Sequence, residues 1–233
     1  MIIKLYLYKI LKYFYYKAVK PKLFNTYKNY ELSDQKFKFT HILEAINYTR
    51  LVMLEPNYFE FGCHSGRTFS SAINSFEFLK INNFEAYAFD SFNGLPDTTN
   101  DDGYFEKGTF KTSQKDFIRL IKIYSNYSDK IKIIPGFYEN SLTSSLANNL
   151  PTPSVIHIDV DLYSSCKIVL NFLKPLLKNG VVILFDDYFC FKPYPISGER
   201  RAFEEFLEEN PNIVAEEWKS YSTFGKSFFI KII

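Results

Sequence analysis

Five short apolar runs, at 58–62, 85–90, 130–136, 154–160 and 180–188, each close on or beside a glycine or an acidic residue, with longer helical-period segments between them. Their length, their β-branched and aromatic content and their flanking Gly, Pro or Asn mark them as strands. The segments 67–80, 113–125, 139–148 and 164–178 read as the intervening helices. Strand and helix in alternation over this distance leave few arrangements, because parallel neighbours need right-handed crossovers with helices on both faces of the sheet. A further helix at 199–209 precedes two runs, "IVAEEWK" (213–219) and "SFFIKII" (227–233), close enough to pair as a hairpin. With 233 residues, 46% of them hydrophobic and 19% aromatic, the chain is long enough to bury one large α/β core.

The charge balance narrows the function. A net charge of +2 supplies no chain-wide field for nucleic acid. Cys63, Cys166 and Cys190 stand far apart in no zinc-binding or redox spacing, so a reducing, cytoplasmic setting is the default expectation. No apolar stretch reaches the ~20 residues of a membrane span, and no signal peptide is evident. The even charge fails only at the N-terminus, where residues 1–30 carry seven lysines and no acidic residue. Ile3, Leu7, Ile10, Leu11 and Phe14 share one helical face, with Lys9, Lys12 and Lys20 roughly opposite. Two readings stay open: a helix packed on its own domain or on a second subunit of a homo-oligomer, which is preferred, and peripheral contact with a membrane surface.

In a parallel sheet, ligands gather beyond the carboxyl ends of the strands. "EFGCHSG" (60–66) ends the first strand and opens a helix, so Gly62 and Gly66 let backbone approach a ligand. The loop is neither G-x-G-x-x-G nor a phosphate loop. The second strand ends in Asp90, placed to accept hydrogen bonds from both hydroxyls of a ribose, and Phe92 follows, able to lie against a base. Alone, Asp90 reads as a turn cap; beside the glycine loop, it favours a nucleoside site.

Asp159, Asp186 and Asp187 come from the ends of two strands that an αβ unit makes neighbours. Converging carboxylates repel unless a cation neutralises them, and oxygen-only ligation selects a hard ion such as Mg²⁺ over zinc. Asp161 is a further ligand or, preferred, either a partner of the ligands or an N-cap for the helix starting near Ser164. His157, alone in an apolar strand, reads as a hydrogen-bonded core residue.

"EFGCHSG", "FDSFNGLPD", "HIDVDLYSSC", "GVVILFDDY" and "SGERRAFEEFL", in this order, resemble the macrocin O-methyltransferase family of metal-dependent sugar methyltransferases over roughly residues 58–207. The resemblance implies a class I, Rossmann-like methyltransferase fold: seven mostly parallel strands with helices on both faces and the last strand antiparallel. The domain would span 51–233, after a basic helical extension at 1–50. It also implies S-adenosylmethionine and Mg²⁺ as cofactors. Glu60, Gly62 and Gly66, with His64 on the same loop, would border the donor's amino-acid end, Asp90 its ribose, and Ser91 and Phe92 its adenine, with Gly136 and Phe137 on the next loop. Asp159, Asp186 and Asp187 would hold the metal, and Asp159 would serve as the base.

The acceptor expected is a sugar hydroxyl on a nucleotide sugar, glycan or glycosylated metabolite, as in polysaccharide biosynthesis; a catechol-like phenol ranks lower. The loop at 97–114, with Gly103, Gly108, Tyr104, Phe105 and Phe110, suits a lid over that substrate. The segment 188–201 offers an aromatic and basic rim in which Lys192 or Arg200 would meet an anionic group. Two rivals remain. A nucleotide-sugar glycosyltransferase would use Asp159-x-Asp161, and a non-catalytic methyltransferase-like scaffold would bind through the basic N-terminus.

Overall fold

The computed structural model describes residues 20–97, 105–126, 128–192 and 195–233, with side chains from residue 34 onward. The amphipathic stretch expected within residues 1–30 lies outside them as far as residue 19, as do Gly103 and Tyr104 of the expected lid. The chain divides into two units, Met1–Phe37 and Lys38–Ile233. Of the first, the described part is the opening of a long helix, α1 (Lys20–Leu51).

The second unit is built on a seven-stranded sheet. Its elements run β1 (Asn57–Phe61), α2 (Arg67–Phe78), β2 (Glu85–Asp90), α3 (Gln114–Tyr124), β3 (Ile131–Pro135), α4 (Tyr138–Ser141), α5 (Ser144–Ala147), β4 (Val155–Ile158), α6 (Tyr163–Leu173), β5 (Val182–Phe185), α7 (Gly198–Glu209), β6 (Ile213–Ser220) and β7 (Lys226–Ile232). The strand order is β3-β2-β1-β4-β5-β7-β6, with β1 to β5 parallel and β7 antiparallel to both of its neighbours. The expected mainly parallel sheet and terminal hairpin are both present.

Alternation along the strands supplies a core to each face. Phe59, Phe61, Ile156, Ile158, Ile183 and Phe185 face α6 and α7, meeting Val169, Leu170, Phe203 and Phe206. Tyr58, Ala86, Ala88, Val155, Val182 and Leu184 face the other way, toward Ile42, Ala45 and Ile46 of α1, Phe69, Ile73 and Phe76 of α2, and Phe117 and Ile121 of α3. Residues 38, 41, 42, 45, 46 and 49 keep the spacing of one helical face.

Two elements differ from expectation. The helix expected at 139–148 is two single turns, because Leu142 leaves helical geometry and the Thr143 hydroxyl caps the second turn through the Leu146 amide. Strands β4 and β5 stop at Ile158 and Phe185, so Asp159, Asp161, Asp186 and Asp187 all stand in the turns that follow.

Candidate functional site

The turn after β1 is drawn against the turn after β4. Gly62, at φ 82°, lies so close to Asp159 that a Cβ there would fall 1.7 Å from the Asp159 carbonyl oxygen. Only glycine permits both that approach and that backbone conformation. Asp90 fixes the same turn from the β2 side: Oδ2 accepts from the amides of Cys63 and His64 at 2.7 and 3.0 Å, and Oδ1 accepts from that of Phe92 at 2.6 Å. The Gly136 amide donates to the Asp90 carbonyl at 2.9 Å, bringing the β3 end, with Phe137 behind it, to the same place. Helix α2 then begins after Gly66, which is at φ 73° and offers no side-chain cap; the first amides of a helix carry partial positive charge toward an anion.

Three members of the expected donor set hold the cradle together. Glu60 lies beneath the loop, fully buried, accepting from the Tyr58 hydroxyl at 2.5 Å and the Thr68 hydroxyl at 3.1 Å. The Phe92 ring, expected against a base, packs on Phe117 at a centroid distance of 5.3 Å and is 6% exposed, because φ 53° turns it into the core. Ser91 spends its hydroxyl on the Gly94 carbonyl, 2.7 Å away. Gly62, His64, Gly66, Asp90 and Gly136 gather at the ends of β1, β2 and β3.

The carboxylates converge. Asp159, Asp161 and Asp187 each offer an oxygen within 4.8 Å of the others, a spread one hard cation with oxygen bonds of about 2.0–2.6 Å can bridge. Asp161 was expected to cap α6 or to partner the ligands. The chain turns at Asp161 with φ 58°, Leu162 occupies the cap position without a side-chain bond, and the Asp161 carboxyl shares a hydrogen bond with Asp187 instead. Asp186, expected as a ligand, points to Lys38, whose Nζ is 2.5 Å from Oδ2.

The electrostatics suit a cation among the three. Burial, then repulsion from Asp186 and Asp187, pushes the Asp159 pKa well up. Burial and Asp187 raise Asp161 to about 8, and burial and Asp186 raise Asp187. For Asp186, burial opposes the charge, but His157 and Lys38 outweigh it and hold the pKa below the ordinary value. Carboxyls that resist ionisation together are those a divalent ion would relieve.

Sequence reasoning gave no role to two residues that shape the site. Glu199, fully buried in the first turn of α7, accepts from the Val160 amide at 2.9 Å through Oε1 and from the Asp187 amide at 3.1 Å through Oε2, locking the two acidic turns together. Lys38 is the other; the helical spacing of residues 38–49 is the signal that could have found it. His157, expected as a hydrogen-bonded core residue, is buried with its Nδ1 3.7 Å from Glu60 and its Nε2 3.7 Å from Asp186, ion-pair distances that leave both nitrogens without a hydrogen bond.

A cavity of about 190 Å³, lined by Tyr188, Phe189, Phe191, Lys192, Ile196, Ser197 and Arg200, adjoins the cluster. Its wall at Phe191 presses on Gly198, where a Cβ would meet the Phe191 ring at 2.3 Å and the Asp161 carbonyl at 3.4 Å. From Phe191, ring contacts run to Phe105 at 6.3 Å, on to Phe110 at 5.9 Å and to His64 at 6.0 Å. An aromatic line thus joins the cavity to the glycine turn through the described part of the 97–114 loop.

The family described as Macrocin-O-methyltransferase (TylF) matches residues 36–216. The demethyldecarbamoylnovobiocin O-methyltransferase of Streptomyces niveus is 26% identical over an alignment of 113 residues that covers 45% of this chain and 42% of that relative. The chain therefore spans less than half the length of this curated relative. Among solved structures, the O-methyltransferase NovP superposes with a TM-score of 0.72 at 18% identity, over 84% of this chain and 80% of that one. The calicheamicin methyltransferase CalS11 does so with a TM-score of 0.66 at 19% identity, over 95% and 90%. At these identities the superpositions establish a shared fold.

Proposed function

The chain belongs to the macrocin O-methyltransferase family, and from that premise we propose that it transfers a methyl group from S-adenosylmethionine to a sugar hydroxyl with the help of a hard divalent cation. The observation that carries the reading is the contact of Gly62 with the Asp159 carbonyl, which sets the glycine turn and the carboxylate cluster side by side at neighbouring strand ends. Neither part alone suffices for this chemistry: the first holds a donor, the second activates an acceptor.

S-adenosylmethionine supplies an electrophilic methyl group for in-line displacement. The first amides of α2 would receive its carboxylate and Asp90 its ribose, while Asp90, Gly62 and Gly66 fix the shape of the turn. A hard cation held by Asp159, Asp161 and Asp187 would ease ionisation of an acceptor hydroxyl, otherwise a poor nucleophile at neutral pH. Asp159, whose turn abuts the glycine turn on the donor side, would receive the leaving proton. Glu199 keeps the two acidic turns at a fixed separation.

The cavity beside the cluster would take the remainder of the acceptor. Tyr188, Phe189 and Phe191 offer faces for a sugar ring, Lys192 and Arg200 offer charge to an anionic substituent, and Phe105 and Phe110 would close over the substrate and exclude water. The glycosyltransferase alternative shares Asp159 and Asp161 but gives the glycine turn no part. Incubating the protein with labelled S-adenosylmethionine and a panel of nucleotide sugars, glycans and glycosylated metabolites, with and without EDTA, tests the proposal. Label in a sugar, lost on chelation, is the expected result; label insensitive to EDTA removes the cation, and no label in any sugar overturns the acceptor class.

A further inference from the structure

We propose that Lys38 is a built-in cation that competes with the divalent ion for Asp186; the inference rests on the cation reading of the neighbouring cluster. Glu60, His157 and Asp186 lie on the same sheet face, Glu60 directly opposite His157 in the β1–β4 register and Asp186 two residues beyond Leu184, which is opposite His157 in the β4–β5 register. From Lys38 onward α1 packs on this face, anchored by Ile42, Ala45 and Ile46, and by His41, whose Nε2 is 2.8 Å from the Ser227 hydroxyl. One turn before His41, Lys38 reaches the end of that polar row. Its Nζ meets Asp186 Oδ2 at 2.5 Å, the two side chains being 16% and 6% exposed.

The pairing leaves Asp186 half used. Its Oδ1 is buried without a hydrogen-bond partner and faces His157 Nε2 at 3.7 Å. The next residue, Asp187, belongs to the trio with Asp159 and Asp161. One short turn therefore presents a carboxylate to an ammonium group and its neighbour to the candidate cation position. Two positive charges in this enclosed space oppose each other, and each is drawn to the same anionic turn. An ion entering the trio draws on Asp186 and loosens Lys38; conversely, Lys38 weakens the ion's hold. By linkage the two effects are one free energy.

Two measurements on the full chain test this. In the first, Mn²⁺ is titrated calorimetrically into the wild type, Lys38→Met and the double variant Lys38→Met/Asp186→Asn. Removing the ammonium group should tighten Mn²⁺ binding at least about fivefold, and removing Asp186 as well should abolish that gain. A purely structural ion pair would leave Mn²⁺ affinity unchanged or lowered. Equal or weaker binding by folded Lys38→Met, with the wild type binding Mn²⁺, overturns the inference and leaves the cation reading standing; no uptake by any of the three proteins overturns both.

The second measurement needs no variant. Acetylation of Lys38 by a short pulse of acetic anhydride, read by mass spectrometry, should quicken at least threefold when Mn²⁺ is added, because the released amine becomes reachable. An unchanged or slower rate in protein that binds Mn²⁺ overturns the inference, even if Lys38→Met fails to fold.

Discussion

Asp159 carries two burdens in one residue: its carboxyl belongs to the trio and its backbone carbonyl is the surface against which Gly62 packs. Asp159→Asn keeps the size and removes the charge, and should lower the methyl-transfer rate by roughly 10²–10⁴-fold while leaving donor binding within a few-fold, as turnover and calorimetry would read. The complementary change is Gly62→Ala. A methyl group 1.7 Å from a carbonyl oxygen, on a residue at φ 82°, must push the two turns apart. The expected loss is about 2–4 kcal/mol of stability in urea denaturation, together with weakened donor binding. At Glu199, replacement by Gln leaves a single oxygen for two amides, and one of the bonds to Val160 and Asp187 is lost. A buried amide left unpaired costs about 1–3 kcal/mol.

At the scale of elements, α1 and the loop at 97–114 do different work. Ile42 and Ile46 are buried on the sheet, so α1 is part of the core from Lys38 onward. Ile46→Ala should cost about 2–4 kcal/mol of unfolding free energy, within the usual range for a buried aliphatic side chain. The loop is tied at its ends by the Leu95 amide to the Thr109 carbonyl and the Gly108 amide to the Leu95 carbonyl, each at 3.0 Å, while Phe110 is 47% exposed. Phe110→Ala should therefore spare the fold, leaving the thermal midpoint within a degree or two, and raise the acceptor KM several-fold in steady-state kinetics.

For the whole molecule, the enclosed carboxyls predict how stability follows pH. Burial raises Glu60 to about 7; burial and then Asp187 raise Asp161 to about 8, both well above the unfolded range near 4. Across the interval between, the folded chain holds protons that the unfolded chain has released, so stability falls as pH rises. His41, lowered by burial to about 4, has the opposite slope, but its contribution is gained below about pH 6.5. In EDTA, the urea midpoint should decline between about pH 6.5 and 8.5, and Mg²⁺ added at the upper end should restore it, since the cation favours the ionised cluster. A flat profile that ignores Mg²⁺ would contradict the reading of Asp159, Asp161 and Asp187 as an ion site.

Most of the architecture was legible in the chain itself, because strand runs, helical spacing and glycine turns are local consequences of side-chain shape and backbone freedom. The strand ends stand out for the same reason: an Asp or a Gly where an apolar run stops is unusual in a core, and Gly62, Asp90, Asp159 and Asp187 are such positions. The partners of each carboxylate could not be read there. Asp161 lies beside Asp159 and Asp187 because β4 ends at Ile158 and the chain turns at a positive φ, while a lysine 148 residues earlier in the chain pairs with Asp186. Glu199 likewise finds Val160 and Asp187 only because α7 packs beside both turns. Side-chain patterns specify elements at short range; which charges meet depends on Coulomb and hydrogen-bond contacts between residues that only the folded chain brings within a few ångströms.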